Sequence, residues 1–237
     1  MMLIALSLGV FAGLLTTVAG IGGGAVLLLG LSILWDPWRA LATTAPALLV
    51  GNAHRASLFR EAIDWRTAGI LLAGALPASI VGGMFVDTVP ASVLYGAMAA
   101  MVCLALLRSF GVLKITVPRK VMLPAGIFIG LITAGAGGGG VLVAPLLLAA
   151  GLTGAAYIGT GAVIATGMHI GRFTGYGLDG LVGLHTVVDA LGLAAAITGG
   201  NLLGRFIRDR IAESATRRIE VGALFMGVGL ALFAALR

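Results

Sequence analysis

Charged residues are scarce in this chain, and their distribution is uneven. Asp, Glu, Lys and Arg make up 10% of its 237 residues, whereas a soluble domain carries about 25%. None of them occurs from Met1 to Trp35 or from Val121 to Gly171. Because one helical span needs about 20 apolar residues, the second stretch must hold more than one membrane element. The shortage of charge excludes an ordinary water-soluble domain.

Disulfides, barrel strands and catalytic motifs are missing as well. Cys103 is the single cysteine, so no intrachain disulfide can form. A membrane barrel needs alternating strands of about 10 residues, whereas these apolar runs are continuous and rich in Leu and Ala. The motifs HExxH and GxSxG are absent, so the sequence predicts neither an enzyme nor a cofactor or metal site. It predicts instead an all-α polytopic membrane protein.

The excess of basic residues has a membrane explanation. The formal net charge is +6, and the basic residues lie at the ends of apolar segments, where cytoplasmic loops carry them. We therefore expect the lipid bilayer, and no nucleic acid, as the partner. The N-terminal segment lacks a basic start and a convincing cleavage site, so it is interpreted as a retained helix.

The first half of the sequence aligns with the second half at a shift of 117 residues, without gaps. Over positions 9–55, 15 of 47 residues are identical to their partners. The identical pairs include Thr16 with Thr133, Thr43 with Thr160, and Arg55 with Arg172. We predict a first repeat at 1–110, a basic cytoplasmic linker at 111–120 and a second repeat at 121–237. Each repeat holds about five helical segments.

The second segment of each repeat is short. Residues 23–34 and 140–151 each span about 18 Å as a helix, which is too short to cross a core of about 30 Å. Both segments directly follow a glycine run. This spacing predicts a broken or re-entrant helix in each repeat.

The basic loops indicate how the repeats are oriented. Loops 55–66, 108–120 and 205–218 are rich in Arg and Lys, so they are predicted to face the cytoplasm. The loops equivalent to the first and third, 172–183 and 88–101, are nearly neutral or begin without a cation. The repeats are therefore predicted to be inverted, with both termini extracytoplasmic. Inverted repeats are a recurring plan of secondary transporters.

The glycine runs are candidate anion-binding elements. Glycine permits torsions that break a helix, and a helix that starts at the break presents unpaired N–H groups and a partial positive charge. Such an end attracts an anion. The alternative is that the glycines only allow close helix packing, as expected for the GxxxG pairs Gly9–Gly13 and Gly126–Gly130. The candidate binding glycines are Gly20, Gly22, Gly23, Gly24, Gly137, Gly138, Gly139 and Gly140.

Polar side chains inside the apolar segments are the other candidate ligands. The hydroxyls of Thr43, Thr44 and Thr160 could donate to an anion or bond to their own helix. Asn52 and His169 occupy equivalent positions, and each is followed three residues later by an arginine. We interpret Arg55 as a cytoplasmic anchor and expect Arg172 to attract anions at the outer mouth.

A separate pair could carry protons. His185 and Asp189 are four residues apart and so share one face of a helix. They are candidates for proton coupling, and the alternative is a structural pair that holds two helices together.

Motifs in both halves resemble the sulfite exporter TauE/SafE family of membrane transporters. They are the run Gly20–Gly24, Ala42-Thr43-Thr44, Ile63-Asp64-Trp65, the run Gly137–Gly140 followed by Pro145, and Gly159-Thr160. The resemblance implies transport of small sulfur-containing anions or organic acids, such as sulfite or sulfonates, across the cell membrane.

The sequence thus predicts a secondary transporter for a small anion that works by alternating access between the repeats. A passive anion channel and a non-transporting membrane scaffold are the alternatives. A homodimer is left open.

Overall fold

The described structure consists of helices, as the sequence predicts. The computed structural model describes residues 1–19, 22–110, 119–208 and 210–211, and positions 218, 219, 221, 222, 225 and 229. Gly20, most of the predicted linker and most of the chain after residue 211 lie outside these residues. The α-helices in the described part are α1 Met2–Ala19, α2 Gly23–Leu34, α3 Pro37–Leu58, α4 Trp65–Gly83, α5 Ala91–Ser109, α6 Met122–Ala136, α7 Gly139–Ala149, α8 Gly154–Leu178 and α9 Leu184–Arg208.

The helices have the lengths and composition of membrane spans. Among the described residues, α1, α4 and α9 are long and apolar enough to cross a bilayer. The helices α2, α6 and α7 are apolar but shorter. Together they confirm a multi-pass membrane protein.

The two short helices lie where the sequence predicts them. Helix α2 has 12 residues and α7 has 11. Each begins directly after a glycine with positive φ, at 96° for Gly22 and 64° for Gly138. That conformation is costly for any residue with a side chain, so glycine at these positions allows the chain to stop one helix and start another.

Close contacts at glycines show the direction of the first group of helices. Gly13 of α1 lies against Ile197 of α9, and Gly204 of α9 lies against Leu14 and Thr17 of α1. The two helices therefore run parallel. Helix α3 runs the same way, because Arg39 pairs with Asp189 near the start of α9 and Gly51 accepts a hydrogen bond from Asn201 near its end.

A second group runs in the opposite direction. Along α4, Leu71 and Ala75 lie against Gly126 and Gly130 of α6, so these helices are parallel. Helix α8 also parallels α4, since Gly167, Gly171 and Gly175 meet Leu72, Leu76 and Ile80 in turn. Helices α3 and α8 pack together with the end of α3 at the start of α8, where Phe59 contacts Gly159.

These directions relate the two repeats. The pairs that are equivalent under the 117-residue shift are α1 with α6, α3 with α8, and α4 with α9. In each pair the two helices run in opposite directions, which is the relation that an inverted repeat requires. The contacts also confirm that the GxxxG glycines lie on packed helix faces.

Charge separates between the two ends of the bundle. Arg60, Arg66 and Arg205 lie at one end, with the end of α3, the start of α4 and the end of α9. Asp36, Asp87, Asp179 and Asp189 lie at the opposite end. There the backbone N–H of Asp87 donates to the Asp179 carboxylate at 3.2 Å, which ties the segment after α4 to the end of α8. Glu61 and Asp64 also lie at the first end and Arg39 at the second, but among the described residues cations outnumber carboxylates at the first, basic end and carboxylates outnumber cations at the second, acidic end.

Candidate functional site

A cavity of about 70 Å³ lies between residues of both repeats. One buried water needs about 10–15 Å³, so the cavity has room for a few waters or for one small oxyanion. Its walls include both glycine runs and parts of α1, α2, α3, α7, α8 and α9. The polar side chains that line it are Thr16, Asn52, Arg55, Thr133, Tyr157, His169, Arg172 and Asn201.

The starts of α2 and α7 contribute backbone to the wall. Gly22 and Gly24 line the cavity from the first run, and Gly137–Gly140 line it from the second. Neither helix start has a side-chain cap. The first N–H groups of a helix have no partner inside the helix, and they carry a partial positive charge. Both breaks therefore give the cavity a donor-rich, positive wall.

Arg55 of α3 brings a buried charge to the cavity. Its side chain is 5% exposed. Nη1 donates to the Thr16 carbonyl oxygen at 3.1 Å and Nη2 donates to Asn52 Oδ1 at 2.7 Å. Nε is buried and has no hydrogen-bond partner in the part of the chain that the structure describes. The prediction of a cytoplasmic anchor was therefore wrong, because the guanidinium points back among the helices toward the break after α1.

Arg172 of α8 brings a second buried charge from the equivalent position. It is 3% exposed. Nε donates to the Tyr176 hydroxyl at 3.0 Å, and Nη1 lies 3.4 Å from His169 Nδ1. Nη2 is buried, and none of the described residues is its hydrogen-bond partner. The side chain thus lies inside the bundle and lines the cavity.

The cavity is therefore strongly positive. No Asp or Glu occurs among the described residues that line it. A buried charge without a counterion is unfavourable, by several kcal/mol per ion even after relaxation. An unpartnered buried N–H adds a further cost of about 1–3 kcal/mol. An anion in the cavity would offset both costs.

His169 and Asn52 hold the two arginines through the same spacing along their helices. A guanidinium has no acceptor, so His169 Nδ1 must accept from Arg172. The ring hydrogen then lies on Nε2, which makes Nε2 a donor to a ligand in the cavity. Asn52 also donates its Nδ2 hydrogen to the Leu48 carbonyl oxygen at 2.7 Å, so its amide is held at both atoms.

Most of the predicted binding glycines line the cavity, and the predicted threonines do not. Gly23 packs against Ala12 of α1 instead. Thr44 donates to the Leu41 carbonyl oxygen at 3.3 Å, and Thr160 accepts from the Asp64 N–H at 2.9 Å. Thr43 is fully buried, and its hydroxyl has no partner among the described residues.

The predicted proton-coupling pair lies away from the cavity. Asp189 forms an ion pair with Arg39 of α3 at 2.9 Å, and His185 is exposed. The ion pair joins α9 to α3 near the acidic end. No group of three or more His, Cys, Asp or Glu side chains that could hold a metal occurs among the described residues.

Four polar side chains of the cavity besides Arg55 were not predicted as ligands. Thr16 and Thr133 could have been found, because they are an identical pair in the repeat alignment. Tyr157 and Asn201 have no such signal, since their equivalents are Ala40 and Met84. Asn201 donates to Gly51 and accepts from the Thr17 hydroxyl at 3.0 Å, so its amide joins α1, α3 and α9.

Comparison with protein families matches nearly the whole chain. The model of the family described as sulfite exporter TauE/SafE matches residues 5–232. The matched range contains both glycine breaks and both cavity arginines. No curated protein and no solved structure matches the chain.

Proposed function

Because the chain belongs to the sulfite exporter TauE/SafE family, a family of membrane transporters, we propose that it carries a small oxyanion through the cavity between its repeats. The observation that supports this most directly is the pair of buried guanidiniums. Among the described residues, Arg55 and Arg172 each keep one nitrogen without a partner, and none of the residues that line the cavity is a carboxylate. A small anion is the ligand that completes such a site.

The proposed binding mode uses three kinds of donor. The guanidiniums supply charge and a fork of N–H groups that matches oxyanion geometry. The starts of α2 and α7 supply backbone N–H groups, and His169 supplies Nε2–H. The volume of about 70 Å³ favours a compact sulfite or sulfonate group over a bulky acid.

The proposed transport cycle uses the opposite directions of the repeats. In inverted repeats the site lies at the repeat interface, and access alternates when one unit rocks against the other. Arg55 approaches the cavity from α3 and Arg172 from α8, which are equivalent and antiparallel helices. A rocking motion would thus exchange the roles of the two arginines.

We propose that the basic end faces the cytoplasm in the cell membrane, with both termini on the other side. The positive-inside rule supports this orientation, because Arg60, Arg66 and Arg205 gather at one end. A reporter fused at the C-terminus that reads as cytoplasmic would contradict it.

The test of anion transport removes each arginine from the cavity. Arg55→Gln and Arg172→Gln should each weaken sulfite binding about 10- to 150-fold, since a hydrogen bond to a charged group contributes about 1.5–3 kcal/mol. Binding is measured calorimetrically on purified protein and transport by counterflow in liposomes. A carrier shows saturation and trans-stimulation, whereas a passive pore shows neither.

The matched control is Arg66→Gln, which removes the same charge from an exposed position. It should bind and transport sulfite like the unmodified protein. Arg172→Lys keeps the charge but loses the fork, so partial recovery would separate a charge effect from misfolding. Unchanged binding of sulfite, thiosulfate, sulfonates and carboxylates in the Arg55→Gln/Arg172→Gln double variant would refute the site.

A further inference from the structure

We propose that His169 takes up one proton with each anion, and that this protonation releases Arg172 to bind the anion. The inference rests on the proposed function and names its coupling ion and coupling residue. The transporter would then be a proton–anion symporter.

The donor and acceptor roles in the contact between Arg172 and His169 change when His169 is protonated. Arg172 Nη1 lies 3.4 Å from His169 Nδ1. While the ring is neutral, Nδ1 accepts from the guanidinium, which has only donors. A proton on Nδ1 turns this contact into donor against donor and charge against charge. Arg172 must then move, and its freed Nη1 joins the unpartnered Nη2 as a fork for two anion oxygens.

Because the cavity is positive, binding of the anion and protonation of His169 depend on each other. Arg55 of α3 and Arg172 of α8 line the same cavity as His169, so both of their charges oppose a further cation there. Tyr157 lines the cavity and Tyr176 bonds Arg172; the other described lining residues have no ionisable side chain. A third cation in the empty cavity is unfavourable, whereas a bound anion supplies the countercharge that allows it.

The equivalent contact in the first repeat cannot switch. Arg55 Nη2 donates to Asn52 Oδ1 at 2.7 Å, and an amide does not take up a proton in this pH range. The cavity thus has one arginine that is always held and one that a proton releases. The proton enters from the water on the side where the anion binds and returns to water on the other side. No covalent bond other than that N–H forms or breaks.

The first experiment measures proton uptake on binding by the intact protein. The probes are methanesulfonate and thiosulfate, which stay fully ionised near neutral pH, so every proton taken up belongs to the protein. Calorimetry in buffers of different ionisation enthalpy, repeated at intervals across about pH 5 to 8, should show uptake that reaches about one proton per anion within that range. Binding without proton uptake would overturn the proposal, whereas no binding of any anion would refute the proposed function instead.

The second experiment assigns the proton to a residue. His169→Asn copies the chain's own first repeat, and His169→Gln is a second neutral variant. The ratio of protons to anions moved in liposomes should fall from about one to near zero in both, whatever rate remains. His185→Asn and Asp189→Asn are controls outside the cavity and should keep the ratio. A ratio that persists in the His169 variants, or is lost in either control, would overturn the assignment.

The calorimetric measurement also covers variants too impaired for flux assays. If neither His169 variant transports, loss of binding-linked proton uptake in a variant that still binds supports the assignment. Retained uptake contradicts it. If neither variant binds, proton uptake by the unmodified protein decides the proposal.

Discussion

The two halves of the cavity contain the same arginine and hold it with different partners. In the first half, Arg55 bonds to an amide and to a backbone carbonyl. In the second half, Arg172 contacts an imidazole and the hydroxyl of Tyr176. The residue equivalent to Tyr176 is Phe59. The two repeats therefore share a buried arginine and differ in the groups that contact it.

This difference separates the residues expected to set the affinity for the proposed anion from those expected to regulate its binding. Both guanidiniums line the cavity, so the proposed anion would be bound by both halves. Among the described side-chain hydrogen bonds of the two arginines, those of Arg172 reach groups that can exchange a proton, Tyr176 and His169, whereas Arg55 bonds to the amide of Asn52. Regulation of binding is thus expected to depend on the second half alone.

The largest expected effect tests whether the two halves are packed alike. A methyl group at Gly13 would overlap the Ile197 carbonyl, and one at the equivalent Gly130 would overlap the Ala75 carbonyl. Because backbone cannot yield cheaply, Gly13→Ala and Gly130→Ala should each lower the free energy of unfolding by about 1–3 kcal/mol. Thermal unfolding in detergent measures this loss.

The control for the glycine variants is Gly96→Ala in α5. Apart from its chain neighbours and its own helix backbone, none of the described residues lies within 4 Å of a Cβ added at this position. That change should be neutral or stabilising by up to about 1 kcal/mol, because alanine is the better helix former. A loss of stability in only one of the Gly13 and Gly130 variants would show that the two contacts are not equivalent.

A smaller effect is expected when the second half is made to resemble the first. Tyr176→Phe removes the hydroxyl that accepts from Arg172 Nε and donates to the Ala134 carbonyl oxygen. The free energy of unfolding should fall by about 1 kcal/mol. Sulfite affinity should change less than in Arg172→Gln, because the charge stays. Both are measured on purified protein.

Tyr95→Phe is the matched control for the hydroxyl. Tyr95 donates to the Ser32 carbonyl oxygen at 2.7 Å and does not line the cavity. It should lose a similar amount of stability and keep its sulfite affinity. Equal affinity changes in both variants would mean that the Tyr176 hydroxyl has no specific effect on the site.

The fold was predictable where local rules decide it. The glycine runs marked the starts of α2 and α7, and the repeat register indicated the equivalent helices. The ends of the long helices were less predictable. Helix α9 continues to Arg208, into the basic loop predicted at 205–218. Arg205 and Arg208 lie in its last turn, where cations interact favourably with the helix dipole.

The site was only partly predictable, because a side chain's direction depends on its neighbours. Arg55 has the position of a membrane anchor along the chain, but the break after α1 offers the Thr16 carbonyl oxygen and draws the guanidinium inward. Thr160 has the position of a ligand, but the N–H of Asp64 occupies its hydroxyl oxygen. Both outcomes depend on contacts between segments that are distant in sequence.

The separation of charge between the ends of the bundle should affect the rate at which the proposed anion enters from each side. Cations at one mouth raise the local concentration of anions there, and the aspartates at the other mouth lower it. Loading of the proposed anion from the basic side should therefore be faster than loading from the acidic side, although the two loading rates do not set the final distribution. Ionic strength that shortens the Debye length below about 8 Å should bring the two loading rates closer together.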